Sequence, residues 1–235
     1  MLGPSPTHLP LDVARRVGRT VALTACLGAL TFLVGVVLHP GRTGREIAAA
    51  PQYALVHELI AFGLAVQLAT LVGLRVLFAE RLGRGGAWAF WLAFAGQLLW
   101  FALILFDGSH NPLMARLAPE VVHTPADADG ATLLFVLPAL IVFPAGHVAW
   151  GIALRSAALV PAWPPVLSAL GAIVYSFGGD AIFIFGPASP VIAAAEISGA
   201  VLFAVGFACS GLLVSRQLEV GQVAPSSRTP ASARG

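Results

Sequence analysis

The chain contains no lysine and few charged residues of any kind. Charged side chains make up 10% of its 235 residues and hydrophobic ones 58%, whereas a soluble domain carries about 25% charged residues. This composition excludes an ordinary soluble globular protein and predicts one embedded in a lipid bilayer. The formal net charge is only +2, so the sequence gives no indication of a nucleic-acid partner.

Motifs for several common activities are also missing. The sequence has no nucleotide fingerprint and no Ser-His-Asp order, and its glycine-rich segment 82–86 lacks the lysine that a phosphate-binding loop needs. The two cysteines, Cys26 and Cys209, fall in predicted helices, where we expect buried packing rather than a disulfide or a metal site. The N-terminal segment lacks the pattern of a cleaved signal peptide, so we expect the first apolar run to stay in the mature chain.

Six apolar runs are long enough to cross a bilayer, which takes about 20 residues of helix. They cover approximately residues 20–38, 54–74, 85–106, 131–154, 164–185 and 191–214. The sequence therefore predicts an all-α membrane protein, a six-transmembrane-helix bundle over residues 20–215. Residues 1–19 are expected to form a cytoplasmic tail, mobile as far as Gly18, and residues 216–235 a disordered cytoplasmic tail. The longest loop is expected at residues 108–130.

Prolines interrupt the backbone hydrogen bonds of the fourth run. Pro138 and Pro144 each remove a backbone donor inside it, so two carbonyls one turn earlier need other partners. His147 lies deep in the same run. We expect this helix to be surrounded by others, with His147 facing the bundle and donating to a carbonyl that a proline has freed. In the first run, Gly28 and Gly35 share one face and suit close helix contact.

Arginine placement predicts the orientation in the membrane. With the N-terminus in the cytoplasm, ten arginines lie on the inner side and only Arg42, Arg45 and Arg116 on the outer side. Because cytoplasmic loops carry the excess of basic residues, both termini are expected in the cytoplasm. The expected location is the plasma (inner) membrane, with several spans.

Several short motifs resemble a known family. They are Leu38-His39-Pro40 at the end of the first run, His57 at the start of the second, Asp107 at the end of the third, Gly146-His147, the segment 151–155 and the segment 160–163. Together they are similar to a family of six-helix membrane proteins of high-GC bacteria that is described only as a domain of unknown function. The resemblance covers about residues 20–215. It implies a fold and a membrane location, and no activity.

In this orientation six ionisable residues of the spans lie at or near their outer ends. A charged side chain at the centre of a membrane helix costs about 2.5–3.5 kcal/mol, so such residues usually face a cavity or each other. We therefore predict an outward-facing polar pocket, lined by His39, His57, Glu58, Asp107, Asp180 and Glu196. Two simpler interpretations stay open: His39 and Asp107 could cap helix ends, and the three deeper acids could pair with a histidine or with Arg42.

A second set of polar residues lies at middle depth. His147, Gln97, Gln67 and Tyr175 belong to four different runs and are candidates for a proton relay. Five aromatic residues are expected to pack in the core or to wall a site for a lipid or isoprenoid: Trp100, Phe101, Phe143, Trp150 and Phe177.

Metal binding is a weaker alternative. His39, His57, His110 and Asp107 have the ligand types of zinc, copper or iron sites. The sequence nevertheless has no closely spaced metal motif, and haem would need a pair of histidines at suitable depths. We predict no metal and no cofactor.

Three functional classes remain open. The favoured one is a protein that binds or translocates a small or amphiphilic ligand through the outer pocket. The second is an integral membrane enzyme of the isoprenoid cyclase or isomerase type, in which a buried acid such as Glu58 or Asp180 protonates an alkene. The third is an accessory membrane subunit or a metal- or haem-binding protein. No catalytic residue is assigned, and the expected partners are the bilayer and a small amphiphilic or isoprenoid ligand.

Overall fold

The computed structural model describes residues 9–40, 44–122, 130–180 and 190–220. All regular structure in these ranges is helical. The α-helices are α1 (Leu11–Val37), α2 (Gly44–Ala49), α3 (Tyr53–Leu77), α4 (Ala79–Leu117), α5 (Gly130–Ser156), α6 (Trp163–Asp180) and α7 (Pro190–Val220), with a 3-10 turn at Pro119–Val121.

Five of these helices are long and apolar enough to cross a membrane. They are α1, α3, α4, α7 and the part of α5 from Val136 to Ser156. Their mean hydropathy lies between 1.7 and 2.2, and half or less of each apolar window is buried inside the protein. The remaining apolar surface needs a hydrocarbon environment. This confirms the prediction of an all-α, multi-pass membrane protein.

The six long helices form a closed ring in chain order. α1 packs against α3, α3 against α4, and so on to α7, which packs against α1 again. Contacting residues run in opposite directions along each pair: in α1 and α3, for example, Gly28 meets Gly63 while Gly35 meets Ile60. Neighbouring helices are therefore antiparallel. The short α2 packs against α4 at the end of the ring where α1 ends, which we call the His39 end.

Glycines bring three pairs of helices into backbone contact. They are Gly28 and Gly63 between α1 and α3, Gly96 and Gly146 between α4 and α5, and Gly171 and Gly199 between α6 and α7. A Cβ atom added to Gly63 would lie 2.6 Å from the Phe32 backbone nitrogen and 2.8 Å from the Gly28 carbonyl oxygen. Membrane helices associate mainly through such close packing, because lipid chains are as apolar as the side chains themselves.

The helix ends differ from the sequence prediction in three places. α1 begins at Leu11, so the predicted mobile tail is wrong for residues 11–18. α4 continues to Leu117 with Pro112 inside it, so the predicted loop at 108–130 is wrong for its first ten residues. α7 continues past residue 216 to Val220. In each case a polar stretch extends the helix beyond its apolar run, which hydropathy alone does not reveal. The remaining tail residues, 1–8 and 221–235, lie outside the described ranges.

Gly63→Ala is expected to destabilise the protein by about 1–3 kcal/mol, because the added methyl group overpacks a contact between two backbones. The measurement is reversible unfolding in detergent micelles. Gly85→Ala is the matched control, since no atom lies within 4 Å of the methyl group that it adds to the same type of helix. Equal stability of the two variants would contradict the observed packing of α1 on α3.

Candidate functional site

Three of the predicted pocket residues meet at the His39 end of the ring. His57 on α3 lies between the other two: its Nε2 is 3.2 Å from His39 Nε2 and 3.0 Å from Asp107 Oδ2. His57 is almost completely buried, whereas the Asp107 side chain is 31% exposed. We call His39, His57 and Asp107 the His–Asp cluster.

Two further residues belong to this cluster and were missed from the sequence. The Tyr53 hydroxyl donates to Asp107 Oδ1 at 3.1 Å, and the Asn111 amide donates to the same oxygen. Tyr53 precedes His57 by four residues, and Asn111 follows Asp107 by four, so each pair shares one face of its helix. That spacing is the signal that could have identified them.

Close approach of α3 and α4 sets this geometry. Gly108 lies next to Asp107, and a Cβ atom added to it would be 2.4 Å from His57 Cβ. Only a residue without a side chain lets the two helices approach this closely. Glycine at position 108 thus allows Asp107 to lie within hydrogen-bonding distance of His57.

The hydrogen bond between His57 Nε2 and Asp107 Oδ2 requires a proton on one of these two atoms. His57 Nδ1 lies 2.9 Å from the Tyr53 carbonyl oxygen, and because a carbonyl only accepts, Nδ1 must donate. A neutral ring that donates from Nδ1 has a bare Nε2, which would face the bare carboxylate oxygen of Asp107. Two acceptors form no hydrogen bond without a proton between them. The cluster in this geometry therefore holds one proton between His57 Nε2 and Asp107 Oδ2.

Three of the four predicted relay residues form a second, fully buried group, which we call the Gln–His chain. Gln97 Nε2 donates to Gln67 Oε1 at 2.7 Å and to the Leu64 carbonyl oxygen at 3.3 Å. His147 Nε2 donates to Gln97 Oε1 at 2.9 Å. His147 faces the bundle as expected, but its acceptor is a side chain of α4 and not a carbonyl freed by a proline.

An aromatic layer lies beside the Gln–His chain and includes the fourth relay candidate. Tyr175 contacts Phe32 and Trp100, with ring centroids 5.1 and 5.4 Å apart, and Trp100 stacks on Phe143. Phe143 in turn contacts the His147 ring at 4.7 Å. Among the predicted aromatic residues, Trp100, Phe143 and Trp150 are buried as expected, whereas Phe177 is exposed.

The other pocket candidates lie on three further helix positions. Glu58 is exposed on the outer surface of α3, because it points about 100° away from the buried His57. Glu196 is half-buried on α7, and Asp180 ends α6 with its side chain outside the described part of the chain. Of the six predicted pocket residues, the structure thus brings His39, His57 and Asp107 together, and the pocket as a whole stays a prediction.

Metal ligands are not grouped in the part of the chain that the structure describes. No three histidine, cysteine, aspartate or glutamate side chains there surround a common point that could hold a metal ion. His110, one of the ligand candidates, is exposed and stacks on Phe106. The cysteines are both free and half-buried.

Comparison with known proteins does not assign the chain to a family. No protein-family model matches the chain, and neither a curated protein nor a solved structure is significantly similar to it. The resemblance to six-helix proteins of high-GC bacteria therefore stays a prediction from the sequence.

His147→Ala is expected to destabilise the detergent-solubilised protein by about 1–3 kcal/mol, since it leaves the buried Gln97 Oε1 without its donor. His147→Phe should be no better, because a ring of similar size cannot replace the hydrogen bond. The measurement is chemical unfolding of each variant. His110→Ala, which changes an exposed histidine, is the control and should be close to neutral. Wild-type stability of both His147 variants would show that this hydrogen bond contributes nothing.

Proposed function

We propose that this chain is a six-span protein of a bacterial inner membrane, with both termini in the cytoplasm, that binds a small amphiphilic cation at its His39 end. Binding of the cation is coupled to release of the proton held between His57 and Asp107. The proposal depends on the position of His57. Its Nδ1 donates to the Tyr53 carbonyl oxygen, and its Nε2 faces the Asp107 carboxylate.

The sixth span is supported by helix packing. α6 packs between α5 and α7, antiparallel to both, so it runs through the same thickness as its neighbours. Exposed tryptophans, which favour the membrane interface, lie near the opposite end from His39: Trp88 is 77% exposed, Trp91 60% and Trp163 49%. They place that end of the ring at a membrane interface, and the arginine bias favours an orientation in which the His39 end faces outward.

The chemistry of the cluster favours a cation as the ligand. Once its proton leaves, the cluster consists of two neutral imidazoles and one carboxylate, with a net charge of −1. An organic cation restores neutrality, and aromatic faces next to the carboxylate suit it. The His39, Tyr53 and His57 rings lie next to the carboxylate, with centroids 4.2 to 5.5 Å apart. Tyr53 and His57 are buried, so the half-buried His39 ring is the one that a cation can reach beside Asp107. Since Asp107 is partly exposed, a ligand can reach it from the end of the ring.

The same geometry disfavours the membrane enzyme. Acid-initiated cyclisation needs a carboxyl group that points into an aromatic cavity. Glu58, one of the two acids considered for that role, is exposed and points about 100° away from the buried His57 around α3. Asp107, the acid that does lie in the cluster, is separated from Trp100 by two turns of α4.

Topology is tested by reporter fusions. A fusion after Gly130 should report the outer side and one after Arg216 the inner side, because an odd number of spans separates the two points. Alkaline phosphatase and green fluorescent protein activity, which require opposite compartments, provide the measurement. An inner-side signal at Gly130 would contradict the proposed orientation and place the His39 end in the cytoplasm.

Coupling between cation and proton is tested by calorimetry. Titration of the purified protein with the lipophilic cation tetraphenylphosphonium, repeated in buffers of different ionisation enthalpy, should show release of a proton on binding. Asp107→Asn, which preserves shape and removes the charge, should weaken binding at least tenfold and abolish proton release.

Glu58→Gln is the matched control. It removes a carboxylate from the residue next to His57, but on the exposed face of α3, so binding and proton release should equal those of the wild type. Binding without proton release in the wild type, or an equal loss in Glu58→Gln, would overturn the proposal.

A further inference from the structure

A small buried cavity lies beside the Gln–His chain. Its polar lining comes from four helices: Thr70 of α3, His147 of α5, Ser168 of α6 and Ser210 of α7. The space open to the centre of a water-sized sphere is ≈ 10 Å³. This is close to the minimum that holds one water molecule, which also needs two to four polar partners.

Two of the lining groups, His147 and Ser168, can each form a further hydrogen bond. His147 donates from Nε2 to Gln97, so the neutral ring has Nδ1 left as an acceptor. Ser168 is buried and lines the cavity, and a serine hydroxyl can both donate and accept. Buried polar groups in native proteins are nearly always paired, with the protein or with ordered water.

The other two hydroxyls are oriented by neighbours and offer lone pairs. Ser210 donates to the Gly206 carbonyl oxygen at 2.8 Å. Thr24 Oγ1 lies 2.9 Å from the Thr20 carbonyl oxygen, to which it can only donate, and 2.8 Å from Thr70 Oγ1. Thr70 thus donates to Thr24, and the oxygens of Thr70 and Ser210 can still accept.

We propose that this cavity is a binding site for one water molecule, which donates to His147 Nδ1 and accepts from the Ser168 hydroxyl. Its second proton bonds to the oxygen of Ser210 or Thr70. The water extends the Gln–His chain from three helices to at least four. It also fixes His147 as the tautomer protonated at Nε2, because both ring nitrogens then have defined partners. This inference does not depend on the proposed function at the His39 end.

The site is tested by solid-state nuclear magnetic resonance of the full chain in lipid bilayers, with ¹⁵N-labelled histidine. Magnetisation transferred from water protons should reach His147 Nδ1, whose signal is assigned by its loss in His147→Gln. Ser168→Val should abolish the transfer, because its methyl groups occupy the volume of the water.

Ser176→Ala is the control for removing a buried hydroxyl, since Ser176 Oγ is buried without a partner among the described residues and does not line the cavity. It should keep the full transfer. Absence of transfer in the wild type, or undiminished transfer in Ser168→Val, would overturn the proposal. If Ser168→Val does not fold, the wild-type spectrum decides, because an empty cavity gives no transfer to Nδ1.

Discussion

The register of α3 against α4 is the constraint on which both polar groups depend. His57 of α3 lies opposite Asp107 of α4. Because the two helices are antiparallel, Gln67, ten residues after His57, lies opposite Gln97, ten residues before Asp107. Ten residues of helix span about 15 Å, so the same register aligns two polar groups at two depths. A slip of one residue would separate both pairs. Gly108 maintains this register, because the His57 side chain occupies the space where a side chain at this position would lie.

The two groups differ in how much water they can reach. The His–Asp cluster includes a partly exposed carboxylate, which solvent can reach. In the Gln–His chain every member is buried and bonded to the next, and it lies among aromatic rings. The hydrogen bonds that join α3, α4 and α5 favour the observed helix packing, because another arrangement would leave more of these buried groups without a partner. Gln67 Nε2 already has none among the described residues. We therefore propose ligand binding for the His–Asp cluster and a structural role for the Gln–His chain, whose hydrogen bonds join α3, α4 and α5.

Much of the fold could be predicted from hydropathy, but less of the site. Long apolar runs predicted the helices that can span a membrane, and Gly28 and Gly35 do pack closely on α3. The rotation of each helix was not predictable, because every face of a membrane helix is apolar. His57 and Glu58 therefore looked equivalent in the sequence, although only His57 faces the interior. The polar extensions of α1 and α4 were missed for a related reason: a helix can continue into water after its apolar run ends.

The central claim is that a backbone carbonyl fixes the orientation of His57 and so forces a proton into the cluster. Solid-state ¹⁵N spectra of His57 in lipid bilayers test it most directly, with the signal assigned by comparison with His57→Gln. The account predicts a protonated Nδ1, since Nδ1 donates to the Tyr53 carbonyl oxygen. A bare Nδ1 with the proton on Nε2 alone would contradict the account, because His57 would then need no shared proton to bond with Asp107.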